Sequence, residues 1–397
     1  MSLQLISHSL DLQRLRNDGY TIEIVGPYLA VRDIPYVRGD KQVGKGTFVC
    51  ELTLAGNQTA PPSNHVMFFE GEMPCDQNGV PIEKIRHSDA DQQLAPGLFV
   101  NRSFSSKPVG DEGQHRQYID YYEKVATYAA MLGNPARCLD PEATACIFAP
   151  VEDRENETVH VYLDTASSRS EILMIAAKLS SDRIGIIGLG GTGAYILDLV
   201  AKTHVGEIHL FDGDQFLSHN AFRSPGSASI EDVTEKPLKS EYFKNMYKRM
   251  HKKLVSNPVY INKSNLNLLD GLDFVFIAID SGEARRLIVD YLLEMKTPFI
   301  DVGMGILCRG DTLAGQIRTT LVTATTNNHV ATRIPMHARG VEDEYASNIQ
   351  VADLNALNAA LAVLKWKRFR AIYADLEHEH HSIFDIDGNH VTNEECT

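Results

Sequence analysis

The sequence has neither a long apolar run nor an excess of positive charge, and both absences exclude classes of function. No uninterrupted hydrophobic stretch approaches the roughly 20 residues that a membrane-spanning helix needs. The first ten residues lack the basic start and apolar core of a signal peptide. With 38 Lys and Arg against 52 Asp and Glu, the net charge of −14 argues against a nucleic-acid backbone as the main partner. We therefore expect a cytoplasmic protein with no membrane and no nucleic-acid partner.

The chain is also poor in cysteine. Its six cysteines are scattered and contain no Cys-x-x-Cys pair, so the usual four-cysteine zinc site cannot be assembled. In a cytoplasmic protein we expect such thiols to be reduced and mostly buried. The length of 397 residues, by contrast, exceeds the size at which a single hydrophobic core usually stops growing, so two domains are expected.

A glycine-rich segment is the most informative feature that is present. Residues 184–193 read Ile-Gly-Ile-Ile-Gly-Leu-Gly-Gly-Thr-Gly, with a Gly-x-Gly-x-x-Gly turn at Gly188, Gly190 and Gly193. An apolar strand precedes the turn, a helix follows it, and Asp212 comes nineteen residues later at the end of a second apolar segment. This order is typical of a Rossmann-type nucleotide site, in which the glycines let the backbone approach phosphates and the carboxylate holds ribose hydroxyls.

Four further polar residues favour ATP over NAD. They are Asn220, Arg223, Lys239 and Asp280. An Arg and a Lys can neutralise a triphosphate and its pyrophosphate leaving group, and an Asp at the end of a buried strand can bind Mg²⁺. A hydride-transfer enzyme has no obvious need for these side chains. The sequence therefore predicts a site for ATP and Mg²⁺.

In the order of its motifs, the sequence resembles the ThiF/MoeB/ubiquitin-activating superfamily over about residues 165–370. The motifs are Gly-Leu-Gly-Gly-Thr-Gly, Asp-x-Asp, Asn-x-x-Arg, a Lys, and Asp-x-x-x-x-Arg. The resemblance implies an ATP-dependent adenylyltransferase that forms a homodimer. It also implies a role for each motif residue. Four glycines would lie against the nucleotide, namely Gly188, Gly190, Gly191 and Gly193, and Asp212 would hold the ribose. The triphosphate would be contacted by Asn220, Arg223 and Lys239, with Asp214 near the phosphates or metal, Asp280 on Mg²⁺, and Arg169 reaching into the partner subunit's site. Arg223, Lys239, Asp280 and Arg169 are then the catalytic candidates.

Several of these residues also have a purely structural interpretation. Arg223 could cap a loop. Lys239 lies in a lysine-rich stretch, in which Lys236 is its rival for the phosphate-binding role. Asp280 could be the N-cap of a helix over residues 283–295, a role that is compatible with metal binding.

No cysteine is obviously placed to capture an activated substrate. Superfamily members often carry a nucleophilic Cys after the strand that is predicted here over residues 314–321, but this chain has no cysteine between residues 309 and 395. Cys308 precedes that strand, and we expect sheet geometry to bury or pair it. The open alternatives are adenylation without covalent capture, direct transfer to another protein's nucleophile, or capture by a hydroxyl such as Ser347, Thr325 or Thr326.

The sequence predicts two domains of different kinds. Residues 1–155 predict a smaller α+β domain, with strands over 20–25, 28–31 and 44–54 and a helix over 118–131. Residues 156–397 predict a Rossmann-like, ThiF-type α/β adenylation domain. Bacterial ThiF-type proteins with an N-terminal extension look similar, and they occur beside ubiquitin-like conjugation systems linked to antiphage defence. The extension is expected to dock a protein substrate or a conjugating enzyme, or to act as structural support.

Three segments complete the second domain. Residues 322–350 lack periodicity and predict a long loop that crosses the active site. Residues 349–369 predict a helix whose leucine face packs in the core or in a dimer. The His-rich run 377–381 could bind a transition metal, but we interpret it as exposed and incidental.

The sequence thus predicts an activating enzyme. It would use Mg-ATP to adenylate the C-terminal carboxylate of a ubiquitin-like protein with a C-terminal glycine, for transfer to a conjugating enzyme or target. The same motifs suit adenylation of a sulfur-carrier protein or a peptide. An NAD-linked oxidoreductase and a non-catalytic nucleotide-binding scaffold are the remaining alternatives, but neither explains the retained charged residues.

Overall fold

A computed structural model describes residues 2–110, 113–150, 158–164, 166–167, 172–336 and 349–396. Contacts divide the chain into two compact units. The first comprises Met1–Glu157 and Leu163–Glu171, and the second comprises Thr158–Tyr162 and Ile172–Thr397. Arg169, Ser347 and much of the segment predicted to cross the active site lie outside the described residues.

The first unit is built on a six-stranded antiparallel sheet with the order β1-β2-β3-β6-β8-β7. Its apolar face, which includes Leu29, Phe48 and Phe69, is fully buried. The elements are α1 Ser2–His8, α2 Leu10–Asn17, β1 Thr21–Val25, β2 Tyr28–Val37, β3 Val43–Glu51, β4 Leu54–Ala55, β5 Gln58–Thr59, β6 Val66–Glu70, β7 Arg86–Ala95, β8 Leu98–Ser105 and α3 Tyr121–Leu139, with a 3₁₀ turn at Glu83–Ile85.

Helix α3 packs on this sheet and is longer than the sequence pattern predicts. Asp120 caps its start, because the Asp120 carboxylate accepts a hydrogen bond of 2.7 Å from the backbone N–H of Glu123. The helix continues through Pro135, although a proline removes one intrahelical hydrogen bond. Leu132 and Ala136, on either side of the proline, are fully buried. Tertiary packing therefore outweighs the local preference to end the helix.

The second unit contains an eight-stranded sheet with the order β11-β10-β9-β12-β13-β14-β15-β16. The strands from β9 to β13 run parallel, and β14 to β16 extend the sheet in antiparallel fashion. The elements are α4 Leu173–Ala176, β9 Arg183–Ile187, α5 Gly191–Val200, β10 Glu207–Phe211, α6 Ser218–Ala221, α7 Ile230–Glu235, α8 Lys239–Tyr247, β11 Leu254–Asn257, β12 Phe274–Ile277, α9 Gly282–Glu294, β13 Phe299–Arg309, β14 Thr312–Val322, α10 Val330–Arg333, α11 Ala352–Phe369, β15 Glu379–Asp385 and β16 His390–Cys396, with 3₁₀ turns at Ala177–Leu179 and Leu266–Leu269.

The direction of strand order reverses between β9 and β12, which lie side by side in the sheet. Ligands of open parallel sheets bind at such a reversal, outside the carboxyl ends of the strands. Helices α5 and α11 pack against each other next to this position, and the core around them includes Ile196, Ala359 and Trp366. The predicted mixed α/β architecture, with an N-terminal sheet unit and a parallel-rich sheet, is confirmed.

The interpretation of the His-rich run 377–381 as exposed is correct for Glu377 and His378 but wrong for the three residues that follow. Glu379, His380 and His381 are buried, because they form the start of β15 inside the sheet. The Nδ1 atom of His381 lies 3.0 Å from the hydroxyl of Thr320. Within the described ranges, no helix combines the length and the hydropathy that a membrane crossing requires.

Candidate active site

A cavity of about 590 Å³ opens at the carboxyl ends of the parallel strands of the second unit. Loops after β9, β10, β11 and β12 form one side, and β13, β14 and α11 form the other. The structure brings together in this cavity most of the residues singled out from the sequence: Gly188, Gly190, Gly191, Asp212, Asp214, Arg223, Lys239 and Asp280.

Three positions of the glycine turn require glycine for different steric reasons. Gly188 has a φ of +87°, and a Cβ there would lie 2.5 Å from the backbone oxygen of Ala278. A Cβ at Gly191 would lie 2.0 Å from the side-chain nitrogen of Asn355. Gly193 does not line the cavity, and its Cβ would lie 1.8 Å from the oxygen of Gly188. Gly193 therefore serves the close packing of α5 on the turn.

Asp212 is anchored by the main chain of the turn. Its carboxylate accepts hydrogen bonds from the backbone N–H groups of Leu189, at 2.7 Å, and Asp214, at 2.8 Å. Burial raises the pKa of Asp212, against the opposing effects of the Lys239 charge and the two backbone hydrogen bonds. These contacts hold the carboxylate at the end of β10, where it borders the cavity.

Lys239, and not Lys236, reaches the cavity. Lys239 is the first residue of α8 and is only 6% exposed, and its Nζ donates a hydrogen bond of 2.7 Å to Asp214. Lys236 is exposed at the end of α7 and does not border the cavity. Burial tends to raise the pKa of Asp214, but hydrogen bonds from Lys239 and Tyr260 outweigh this effect, and the pKa is lowered.

Arg223 and Asp280 face the same part of the cavity from different loops. Arg223 follows α6 and is half-buried. Burial lowers the pKa of Arg223, although the negative charges of Asp280 and Asp214 oppose this effect. Asp280 follows β12, is exposed, and borders the cavity. Asp280 is not the N-cap of α9, as one interpretation predicted: Ser281 occupies that position, and its hydroxyl accepts a hydrogen bond from the N–H of Ala284. The carboxylate of Asp280 is thereby left facing the cavity.

Asn220 lies just outside the cavity. Its side-chain oxygen accepts a hydrogen bond of 2.9 Å from the backbone N–H of Leu217, so the side chain closes the first turn of α6. It is 2% exposed, and its amide nitrogen has no hydrogen-bond partner among the described residues. The loop that carries Arg223 depends on this local contact. A role of Asn220 on the triphosphate remains a prediction.

Sequence reasoning missed two asparagines of α11 that border the cavity. Asn355 accepts a hydrogen bond of 2.9 Å from the hydroxyl of Thr192 and donates one of 3.3 Å to the backbone oxygen of Arg223. Asn358 donates to the backbone oxygen of Gly303 at 3.0 Å. The sequence analysis assigned the leucine face of this helix to core or dimer packing, but Leu364 on that face is exposed. The buried face is the adjacent one, which carries both asparagines together with Ala359 and Trp366.

A buried ion cluster underlies the β13 side of the cavity. Asp301 is fully buried and is paired with Arg285, at 2.9 Å, and with Arg318. Arg285 also donates to the backbone oxygens of Ile279 and Pro335. Arg285 is the last residue of the Asp-x-x-x-x-Arg motif. Its contacts link the loop after β12, at Ile279, to the segment that follows α10, at Pro335.

The candidate nucleophiles lie away from the cavity or outside the described residues. Cys308 lies near the tip of the β13–β14 hairpin, where it pairs with Leu313 but remains exposed, so the sheet pairs this residue and does not bury it. The hairpin extends past the strands on either side, which leaves that end of β13 uncovered. Cys308, Thr325 and Thr326 do not border the cavity. Ser347 and the trans-acting candidate Arg169 are not described.

The expectation that most cysteines are buried is wrong for the described part of the chain. Cys50 and Cys75 are buried, whereas Cys138 and Cys308 are exposed and Cys146 is intermediate. Burial raises the pKa of Cys50 to about 11.

Comparison with known proteins identifies both parts of the chain. Residues 10–165 match a domain of unknown function, DUF6791, and residues 170–345 match the ThiF family. A tRNA threonylcarbamoyladenosine dehydratase of Haemophilus influenzae is 28% identical over 131 residues, which cover 32% of this chain and 49% of that protein. The adenylyltransferase and sulfurtransferase UBA4 of Kluyveromyces lactis is 27% identical over 134 residues, which cover 33% of this chain and 30% of that protein.

The chain thus spans half or less of the length of these two relatives. Among solved structures, E. coli MccB with succinimide is similar at a TM-score of 0.46 and 18% identity, over 58% of this chain and 72% of that chain. The glycine turn, the charged residues of the cavity and the matched family agree on one assignment: residues 170–345 form a ThiF family domain, and the DUF6791 domain precedes it.

Proposed function

We propose that this chain uses Mg-ATP to adenylate the C-terminal carboxylate of a small ubiquitin-like protein. One observation carries the proposal: a glycine turn, two cationic side chains and an exposed carboxylate converge in one cavity. Gly190 and Gly191 leave the backbone accessible, Arg223 and Lys239 supply positive charge, and Asp280 supplies oxygen ligands. This combination suits a triphosphate bound with a divalent cation better than the dinucleotide of an oxidoreductase.

The proposed reaction is a substitution at phosphorus. An oxygen of the substrate carboxylate attacks the α-phosphorus of ATP, and the bond from that phosphorus to the bridging oxygen breaks. Pyrophosphate leaves with the electron pair of that bond, and an acyl-adenylate remains. The attacking carboxylate is already ionised near neutral pH, so the chain does not have to supply a general base. Its tasks are to orient the two substrates and to neutralise charge on the leaving group.

Lys239 and Arg223 are the residues proposed to neutralise that charge. Lys239 is held by Asp214 at 2.7 Å and lies 3.9 Å from Asp212, so its position is fixed before a nucleotide binds. Arg223 lies close enough to Asp280 and Asp214 for both carboxylates to oppose the lowering of its pKa by burial. Preorganised charges of this kind contribute more than mobile ones, because little reorganisation is needed when the leaving group develops its charge.

The donor set of the cavity fits Mg²⁺. Carboxylate oxygens are the protein ligands that Mg²⁺ prefers, and it usually binds through one or two of them together with substrate phosphates. Asp280, which is exposed to the cavity, would hold the ion, with Asp214 nearby. The ion would add positive charge against the phosphates.

The proposal also includes a ubiquitin-like protein as the substrate and a conjugating enzyme or target as the recipient. It further includes a homodimer that acts in the cytoplasm. A sulfur-carrier protein is the second candidate substrate, because the relative UBA4 is named an adenylyltransferase and sulfurtransferase. A conjugation system linked to antiphage defence is the setting suggested by the resemblance of the whole chain to extended bacterial ThiF-type proteins.

The test is ATP–pyrophosphate exchange by the purified full chain. The assay would include, one at a time, small glycine-terminated proteins encoded beside its gene, a sulfur-carrier protein and short peptides. Exchange that depends on one of these carboxylates is the expected result. No exchange with any of them, together with tight binding of NADH, would contradict the proposal and favour the oxidoreductase.

Asp280→Ala provides the matching test of the metal site. We expect exchange to fall by about 100-fold or more, because charge on the leaving pyrophosphate is no longer neutralised. The exposed Asp290, on the solvent side of α9, provides the control: Asp290→Ala should leave exchange unchanged. Full exchange by a folded Asp280→Ala variant would remove Asp280 from the mechanism.

A further inference from the structure

Asn358 is a buried amide whose acceptor atom has no partner. The side chain borders the cavity and is 1% exposed. Its Nδ2 donates a hydrogen bond of 3.0 Å to the backbone oxygen of Gly303. A carbonyl oxygen can only accept, so this bond fixes the orientation of the amide and leaves Oδ1 as the second polar atom. Among the described residues, no group donates a hydrogen bond to Oδ1. A buried acceptor in this state is unfavourable until a donor reaches it.

Asn358 lies at the end of the cavity away from the residues proposed to hold the nucleoside. The cavity lining follows the sheet edge from Tyr260, after β11, past the glycine turn and Asp280, to Gly303 in β13. With the ribose at Asp212 and the phosphates over the glycine turn, the β13 end is left for the carboxylate that attacks the α-phosphorus. The donor that Asn358 lacks therefore belongs to the second substrate and not to the adenine.

Strand β13 offers main-chain groups beside Asn358. It pairs with β12 only over Phe299–Asp301, although it continues to Arg309 and pairs with β14 along its whole length. The edge that β12 leaves uncovered therefore begins at Val302, and residues 302–305 border the cavity. Two of these residues are glycines, so few side chains cover this edge. An extended peptide can pair its main chain along several residues of such a strand edge, whereas a small carboxylic acid has no main chain to do so.

We infer that Asn358 selects a peptidyl carboxylate by accepting a hydrogen bond from the last backbone N–H of the substrate's C-terminal tail. The inference rests on the proposed adenylation and narrows its substrate class to extended tails whose last residue carries an amide N–H. A tail that ends in proline, or in an ester-linked residue, lacks this donor and leaves Oδ1 desolvated and unpartnered. Such tails bind poorly even when their carboxylate is intact.

The test compares two probes that bind without reacting. One is adenosine 5′-sulfamate acylated with acetyl-Gly-Gly, and the other carries acetyl-Gly-glycolic acid, in which an ester oxygen replaces the last N–H without added bulk. Isothermal titration with the full chain should show that the amide probe binds about tenfold tighter than the ester probe, as expected for one buried acceptor left unpaired. Asn358→Ala should bind the two probes with affinities that differ by less than about threefold.

Asn355 provides a matched control on the same helix, one turn earlier. It is equally buried, but both of its polar side-chain atoms are hydrogen-bonded, to Thr192 and to Arg223. Asn355→Ala should weaken both probes to the same extent and keep the tenfold ratio. Equal affinity of the unmodified chain for the amide and ester probes would overturn the inference, even if Asn358→Ala failed to fold. That outcome would leave adenylation intact, whereas a lack of exchange with every carboxylate would overturn the proposed function itself.

Discussion

At the scale of single residues, Lys239 and Lys236 show how a short distance along the chain changes the role of a charge. Lys239 is buried beside Asp214, whereas Lys236 is exposed. Lys239→Met should therefore lower kcat/KM for ATP in the exchange assay by about 100-fold, because one of two fixed cations is lost from the proposed leaving-group site. Lys236→Met, the matched control, should stay within about twofold. Equal losses in the two variants would show that Lys239 has no special role.

At the scale of elements, the turn between β9 and α5 separates a packing role, at Gly193, from a proposed binding role, at Gly190. In Gly193→Ala the new Cβ would lie 1.8 Å from the backbone oxygen of Gly188, so α5 must shift. We expect a loss of about 2 kcal/mol in the free energy of unfolding, measured with urea, because tight packing tolerates little added volume.

Gly190→Ala provides the contrast within the same turn. No heavy atom lies within 4 Å of a Cβ at Gly190, so stability should change by less than about 1 kcal/mol. Gly190 borders the cavity, however, and the methyl group would stand between the backbone and a phosphate. ATP binding, measured by isothermal titration, should weaken by about tenfold or more. A stability loss in Gly190→Ala as large as that in Gly193→Ala would refute the division of roles.

At the scale of the folded second unit, a buried histidine predicts that the free energy of unfolding decreases as the pH is lowered. His251 is fully buried; its Nε2 lies 2.9 Å from the oxygen of Val205, and its Nδ1 accepts from the N–H of Lys253. Burial lowers the pKa of His251 to about 4, whereas histidine in an unfolded chain titrates near 6.5. Between these values the unfolded chain binds the extra proton, so lowering the pH favours unfolding. The contribution is about 3 kcal/mol between pH 6.5 and 4.

Urea unfolding at a series of pH values tests this prediction. His251→Gln, which cannot bind the proton, should unfold with a flatter dependence on pH below 6.5. The exposed His390 provides the control, because its ring is hydrated in both the folded and the unfolded chain. His390→Gln should keep the slope of the unmodified protein. An unchanged slope in His251→Gln would mean that other groups govern the acid transition.

Local sequence was sufficient for the elements whose pattern is strong and whose partners are near. Apolar residues before Gly188, the glycine turn and the helix after it predicted β9 and α5, because the backbone conformation at Gly188 and the burial of both elements follow from residues close together in the chain. The same reasoning located Asp212, Arg223, Lys239 and Asp280, which the structure brings to one cavity. Parallel strands align their carboxyl ends, so residues that follow such strands converge.

Tertiary structure alone decided the remaining features, because they depend on contacts between distant segments. The choice of Lys239 over Lys236 depends on where α8 begins relative to Asp214. The burial of His380 and His381 depends on the pairing of β15 with β14, about 60 residues earlier in the chain. The placement of Asn358 against Gly303 depends on the packing of α11 next to β13. No local pattern encodes such pairings, since they are selected by the burial of whole faces when the sheet and its helices assemble.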